Sequence, residues 1–252
     1  GGLDSSLLLK MACESAEKFH NPVYAVTFWT MLHPACDLEI AGRVAAEVGA
    51  DHHVIEVNEL ELEALRNNPP ERCYLCKRHL FQTLLKFADE RGAQCAIDGT
   101  NEDDLHVYRP GLKALKELGI ISPLARFHIT KQEVKELASG YGLSTSGRPS
   151  TPCMATRLPY GEPLDYALLR RIEEGETGLK AIFTGNIRLR VHWDTARIEV
   201  DPDQMETAVK RREEICAMLK GLGFRYITLD LAGFRSGSMD SALENAGGRY
   251  CL

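Results

Sequence analysis

Several short stretches carry residue types able to do chemistry. The first is Gly1-Gly2-Leu3-Asp4-Ser5-Ser6. Consecutive glycines let backbone N–H groups close on a phosphate, and two hydroxyls at a helix N-terminus add donors to the positive end of its dipole. The string lacks the lysine of the Walker loop, and a helix N-cap without a ligand accounts for the same residues. Cys73-Tyr-Leu-Cys76, followed by Lys77, sets two thiols three apart at a loop-to-helix junction. That is a half-site for zinc or an iron–sulfur cluster, with a buried or redox pair as the other reading. Cys153 lies in Thr151-Pro152-Cys153-Met-Ala-Thr156-Arg157, near a basic Arg157 that would stabilise a thiolate. Asp98-Gly99-Thr100-Asn101, with Asp103 and Asp104 behind it, stands at the C-terminal end of a predicted strand, and Tyr108-Arg109-Pro110-Gly111 follows. Ligands of open α/β sheets bind at such strand ends, so a phosphate-bearing ligand is expected across Gly1–Ser6, Thr27 and Gly99. Arg188 and Arg190 alternate along one strand and face one way, able to fork onto a phosphate or simply to line a solvated face.

The elements that must position these residues follow from periodicity. Val23–Phe28 is an apolar, β-branched strand, residues 34–50 have helical spacing, and His53–Val57 alternates like a strand. Lys77–Arg91 shows one apolar helical face, Gln94–Asp98 reads as a strand, and Thr130-Lys-Gln-Glu133 is a capping box for a helix over Lys131–Tyr141. This alternation predicts a doubly wound parallel α/β sheet over residues 1–150. A glycine pair opening straight into a helix is expected to follow a strand, which would lie upstream of Gly1. Residues 144–163, rich in Ser, Thr, Pro and Gly, read as a boundary loop carrying Cys153. A smaller α+β domain follows over 163–252. It has a helix over Asp165–Gly178, a hairpin of Ile187–Val191 and Ala196–Val200, a helix over Gln204–Leu222 and a strand over Phe224–Leu231.

Composition narrows the function class. The chain has 252 residues, 44% hydrophobic and 26% charged, as a globular protein does. No apolar run is long enough to span a membrane. Thirty Lys and Arg against 36 Asp and Glu give a net charge of −6, which does not suit a general nucleic-acid coat. The last domain is nearly balanced, 13 basic residues against 14 acidic between Pro163 and Leu252, which favours a small substrate over a polyanionic RNA. With no export signal in view, the eight cysteines read as thiols of a reducing, cytoplasmic compartment. Cys13, Cys36, Cys95, Cys216 and Cys251 fall outside the motifs and read as structural. His79 reads as a helix-surface histidine rather than a fourth metal ligand, and Trp193 as packing.

The opening string resembles the SGGxDSS loop of the PP-loop ATP pyrophosphatases, which cleave ATP between the α and β phosphates. That resemblance implies that Asp4 helps to hold Mg²⁺. More closely, the chain resembles the LarE family, the ATP-dependent sulfur transferases of nickel-pincer cofactor biosynthesis. The matching stretches are GGLDSS, PPERCYLCK, DGTNEDD, YRPGLKALKELGIISPL, PCMATRLPYG and IRLRVHWDTARIEV, over nearly the whole chain. The family resemblance implies that ATP adenylylates a carboxylate of pyridinium-3,5-biscarboxylic acid mononucleotide and that sulfur then displaces AMP. It further implies ATP contacts from Gly1, Gly2, Asp4, Ser5, Ser6, Thr27, Gly99, Thr100 and Asn101. Arg188, Arg190 and Arg109 would meet the substrate, with Glu176 and Glu199 matching family acids near it. In one branch a cysteine in the position of Cys153 gives up its own sulfur. This chain departs from that branch by carrying Cys73 and Cys76 as well, and resembles members that hold a 4Fe-4S cluster on three cysteines, loaded by sulfide or another sulfur donor. A trimer or hexamer is implied too. tRNA thiolation by a related PP-loop enzyme, ammonia-using ligases such as NAD and GMP synthetases, and a non-enzymatic nucleotide- or metal-binding module are the competing readings.

Overall fold

The computed structural model describes residues 1–148 and 151–235. Cys251 lies outside them, as does the end of the C-terminal domain. The chain divides into two units, Gly1–Pro152 and Cys153–Leu252. No helix among the described residues is long and apolar enough to cross a membrane.

The first unit is built of α/β elements. Helix α1 (Leu3–Phe19) starts directly after the glycines and leads to β1 (Tyr24–Trp29). Helix α2 (Cys36–Val48) crosses over to β2 (Asp51–Glu56), which pairs with β1 in parallel, Tyr24 opposite Asp51 and Trp29 opposite Glu56. Helix α3 (Arg72–Glu90) begins five residues before the predicted start, so both motif cysteines lie in its first turns. The pair Pro69-Pro70 sets this earlier start, the Pro69 carbonyl accepting the Arg72 N–H at 3.0 Å. Helices α4 (Gly111–Glu117), α5 (Pro123–Arg126) and α6 (Lys131–Gly140) complete the unit. The Thr130–Glu133 capping box is present with both reciprocal hydrogen bonds.

The segment 94–98 is not the strand expected of it. Among the described residues Ile97 alone pairs in it, in a parallel bridge to Ile121. Two apolar clusters hold the unit. Leu3 and Leu7 of α1 pack with Leu124, Val134, Ala138 and Leu143. Ala96, Leu115 and Ile120 receive the apolar face of α3 through Phe81, Leu84 and Leu85.

The second unit carries α7 (Tyr166–Lys180), β3 (Ile187–His192), β4 (Thr195–Val200), α8 (Met205–Lys210), α9 (Arg212–Gly221) and β5 (Tyr226–Leu229). The strands form one sheet, β3 antiparallel to β4 and β4 parallel to β5. Leu189, Val191, Ala196, Ile198 and Val200 are buried together with Ile172 and Leu179 of α7 and Leu219 of α9. The intervening positions 188, 190, 197 and 199 therefore share the opposite, polar face. The expected single helix over 204–222 is two, because Arg211 leaves helical geometry (φ −98°, ψ 18°) and serves as the C-cap of α8 and the N-cap of α9. The hairpin link is two residues, Trp193-Asp194, with Trp193 at φ 52° and its side chain exposed rather than packed.

Candidate functional site

In the first unit the glycine string and the Asp98–Asp104 loop come into contact. A Cβ on Gly99 would lie 2.8 Å from the backbone nitrogen of Ser5, so only glycine permits this approach. A Cβ on Gly1 would lie 2.9 Å from the Asp37 carbonyl oxygen. Gly2 is extended and caps α1, and the hydroxyls of Ser5 and Ser6 donate to its carbonyl at 3.0 and 2.8 Å. The first-turn N–H groups of α1 have no intrahelical acceptor and lie where an anion can use them.

Asp4 joins the two loops. Its Oδ1 accepts from Asn101 Nδ2 at 2.8 Å, and its Oδ2 pairs with Lys131 Nζ. Asn101 is buried and exchanges hydrogen bonds with Asp104, 3.2 Å each way. Arg109 pairs with Asp104 at 2.7 Å and remains largely exposed. Thr100 is buried and donates to Asp98 at 2.7 Å. Asp98 also accepts from Ser122 Oγ at 2.5 Å and from Lys77 Nζ at 3.3 Å. Through Lys77 the cysteine motif on α3 is therefore tied to the same loop. Helix α4 approaches that motif at Gly111, where a Cβ would lie 2.9 Å from Lys77 Cδ and 3.5 Å from the Cys73 carbonyl oxygen.

A cavity of about 680 Å³ opens beside Gly2 and Asp4, walled by Asp37, Lys131, Lys135 and Arg148. Three cations and two carboxylates around a helix N-terminus suit a polyphosphate with a divalent ion. Arg148 fixes the glycine string, donating to the Gly1 carbonyl at 2.8 Å and pairing with Asp37. Lys131, Lys135, Arg148 and Asp37 were not singled out from the sequence. A local signal existed for one of them: Lys131 is the first residue after the Thr130 cap, so its place at a helix N-terminus was legible. A second cavity, of about 190 Å³, is bounded by Gly1, Ser5, Ser6, Thr27 and Gly99, the residues expected at the ATP crevice. Thr27 Oγ1 is 2.9 Å from His52 Nε2. Burial, with the nearby His53, holds His52 below the ordinary histidine pKa.

In the second unit Arg157 and Glu176 are both buried and form a two-pronged pair, Nε to Oε1 at 2.8 Å and Nη2 to Oε2 at 2.9 Å. Glu176 also accepts the N–H of Leu189 at 2.9 Å, covering the open edge of β3. Glu176 thus matches the Arg157 charge with a carboxylate. Arg190 is buried, donating to Glu199 Oε1 at 2.6 Å and to the Thr156 carbonyl at 2.6 Å. Arg197 reaches the same Glu199 oxygen at 3.0 Å. Arg188 shares this face, half-buried, with its guanidinium 5.0 Å from the Phe234 ring centroid. Burial, reinforced by Arg157 and Arg190, lowers its pKa. Glu199 Oε2 and His192 Nε2 are buried without a hydrogen-bond partner among the described residues. Such atoms need a partner from solvent or ligand.

Cys73 is exposed and Cys76 half-buried in the first unit, while Cys153 opens the second, half-buried. Cys153 caps the turn Met154–Arg157, and Thr156 Oγ1 donates to its carbonyl at 2.7 Å. Among the described residues no group of three or more His, Cys, Asp or Glu is gathered as a metal site.

Known proteins resemble the chain as follows. The asparagine synthase family model matches residues 1–76. The uncharacterized protein slr1717 of Synechocystis is 36% identical, over 96% of this chain and 90% of its own length. The pyridinium-3,5-bisthiocarboxylic acid mononucleotide synthase of Lactiplantibacillus plantarum is 32% identical, over 98% of this chain and 88% of its own. The U34-tRNA thiolase NcsA of Methanococcus maripaludis, solved with its [4Fe-4S] cluster, is 16% identical with a TM-score of 0.41, over 98% of this chain and 80% of that one; this is too low to bear on the fold or the site.

Proposed function

We propose a function from one premise: this chain belongs to the LarE family of PP-loop, ATP-dependent sulfur transferases. Its substrate is pyridinium-3,5-biscarboxylic acid mononucleotide, and its product is the thiocarboxylate precursor of the nickel-pincer cofactor. The observation that carries this reading is the phosphate cavity beside Asp4, where Lys131, Lys135 and Arg148 stand around the N-terminus of α1.

A substrate carboxylate oxygen attacks the α-phosphorus of ATP, the bond to the β-phosphate oxygen breaks, and pyrophosphate leaves. Lys131, Lys135, Arg148 and the N–H groups of the Gly1–Ser6 loop receive the charge that collects on the pyrophosphate. Asp4 would hold Mg²⁺. Its carboxylate, now neutralised by Lys131, becomes available once Lys131 turns to a phosphate oxygen. Sulfide (HS⁻) then attacks the acyl carbon, the carbon–oxygen bond to AMP breaks with AMP keeping its electron pair, and the resulting thioacid loses its proton to solvent as the thiocarboxylate. Arg188, on the polar face of the β3–β4 sheet, holds the substrate phosphate. The unpartnered Glu199 Oε2 and His192 Nε2 supply polar contacts on the same face.

The residues present fit a 4Fe-4S cluster in donor chemistry. Cys73 and Cys76 lie three apart on the first turns of α3, and Cys153 heads a turn held by Arg157 and Arg190. A cluster on three thiolates supplies one open iron able to hold exchangeable sulfide.

The test is substrate-dependent release of AMP and pyrophosphate, with mass detection of oxygen-to-sulfur exchange in the nucleotide. AMP release that responds to tRNA and not to the nucleotide would replace this reading with tRNA thiolation.

A further inference from the structure

The loop that carries Asn101 and the segment that carries Lys131 are stitched to each other along a seam. The Thr100 carbonyl accepts the N–H of Ala125 at 3.1 Å, and the N–H of Glu102 donates to the Ile129 carbonyl at 2.9 Å. The Asp103 carboxylate accepts the N–H of Lys131, the first residue of α6. Between these backbone bonds sits the half-buried side chain of Glu102. His106 Nε2 lies 2.8 Å from its Oε1, and His128 Nδ1 lies 3.0 Å from its Oε2. An ionised carboxylate accepts and does not donate, so each ring presents an N–H to it. The bonds from His106 and His128 hold the Glu102 carboxyl below the usual carboxylate range.

The two histidines stand on different segments. His106 ends the short turn Asp103–His106 that follows Glu102, so its bond fixes the rotamer of the glutamate. His128 lies across the seam, between α5 and α6, with φ 56°. Left-handed backbone is uncommon outside glycine and persists where the surroundings over-determine it. Here its own N–H is bonded to the Ala125 carbonyl at 3.0 Å, and its ring is bonded to Glu102. The ring is otherwise largely exposed, so packing is not what turns it toward the carboxylate.

At the inner end of the seam the two stitched segments meet on one side chain. Asn101, next to Glu102, donates to Asp4 Oδ1 at 2.8 Å, and Lys131 Nζ pairs with Asp4 Oδ2. The separation of Asn101 from Lys131 therefore sets where the Asp4 carboxylate sits. Lys131 must turn its amine to a phosphate oxygen while its backbone stays in place. The seam holds that backbone and leaves the side chain free to move.

We propose that Glu102, gripped by His106 and His128, is a positioning residue of the phosphate site: it fixes the Asn101 loop against the start of α6 and so sets Asp4 and Lys131 for magnesium and ATP before either binds. The inference rests on the reading of Asp4 as the carboxylate that holds Mg²⁺. Its effect falls on binding, because bound magnesium and ATP hold the same groups once they are in place.

The experiment is calorimetry of the intact protein with magnesium and α,β-methylene ATP, which resists cleavage between the α and β phosphates, alongside KM and kcat for ATP. Glu102→Ala raises Kd for the analogue and KM for ATP about tenfold, and leaves kcat at saturating ATP within about twofold. His128→Gly accepts the left-handed backbone but lacks the donor, and raises Kd about fivefold or more. His128→Asn tolerates the same backbone and places an amide N–H where Nδ1 stood, so it binds within about twofold of the unaltered protein. Equal Kd in His128→Gly and His128→Asn overturns the inference, and this pair decides if Glu102→Ala does not fold. A fall in kcat with KM unchanged in Glu102→Ala overturns it too. Binding lost in Asp4→Ala but unchanged in Glu102→Ala overturns this inference and leaves the reading of the site standing. Binding unchanged in Asp4→Ala removes the reading of the site, and this inference with it.

Discussion

Arg190 donates from Nη1 to the carbonyl oxygen of Thr156 at 2.6 Å, so the strand that carries the arginine pair also holds the turn that begins at Cys153. Arg157 holds the same turn from within, Nη1 to Thr156 Oγ1 at 2.9 Å. Two arginines that the sequence offers as anion binders thus also position this turn. Arg188 is the member of the set whose guanidinium rests on a ring and on the Ile187 carbonyl rather than on a carboxylate.

Among the described residues, replacing Arg190 by Ala leaves the buried Glu199 with Arg197 against it. Breaking a buried pair from one side costs about 3–5 kcal/mol. Thermal unfolding should show this loss for Arg190→Ala, and a smaller loss for the Arg190→Met, Glu199→Met double variant. A loss in the double variant equal to the sum of the Arg190→Met and Glu199→Met losses would mean that the pair contributes no coupling.

Arg188→Ala should raise KM for the nucleotide substrate by about ten- to a hundredfold, the worth of one charged hydrogen bond of about 1.5–3 kcal/mol. KM for ATP should stay within about twofold. An equal rise in both would show that Arg188 does not serve the substrate separately from ATP.

Asp4→Ala should abolish substrate-dependent AMP release, and Lys131→Ala should weaken ATP binding by about tenfold or more. Binding of ATP by calorimetry and AMP release by chromatography separate the two effects. AMP release unchanged in Asp4→Ala removes this carboxylate from the metal role.

Cys73, Cys76 and Cys153 should act as one set. Each Cys→Ala change should lose iron, acid-labile sulfide and multiple turnover together in anaerobic preparations. The polypeptide mass should be unchanged after several turnovers. Loss of about 34 Da at Cys153 after a single turnover, with no iron requirement, would show instead that this cysteine gives up its own sulfur as it becomes dehydroalanine.

His33 is half-buried beyond β1, with Nδ1 2.8 Å from Thr30 Oγ1, and desolvation holds its pKa below the ordinary 6.5. The folded protein therefore binds this proton less readily than the unfolded chain. The stability it contributes is complete above pH 6.5 and falls as the pH drops from 6.5 through the lowered folded value. Denaturant midpoints measured between pH 7.5 and 5 should show this slope, and His33→Gln should flatten part of it. A slope unchanged in His33→Gln assigns the acid sensitivity elsewhere.

Features that depend on near neighbours were legible in the sequence. The capping box needs only Thr130 and Glu133. The β1–α2–β2 unit follows from apolar spacing, and the glycine string announces a close backbone approach. Strand and helix ends were less legible where distant partners set them. Residues 94–98 have strand composition, but a strand needs a run of paired residues along at least one side, and among the described residues Ile97 alone forms a bridge here. What tertiary structure decided was the use of charge. Asp4 meets Lys131 across 127 residues, and Arg157 meets Glu176 across 19. A guanidinium reads the same in sequence whether it waits for a phosphate or is buried against a carboxylate. Burial settles the difference, because an unpaired charge cannot stay in a dry interior, and folding decides which carboxylate reaches it.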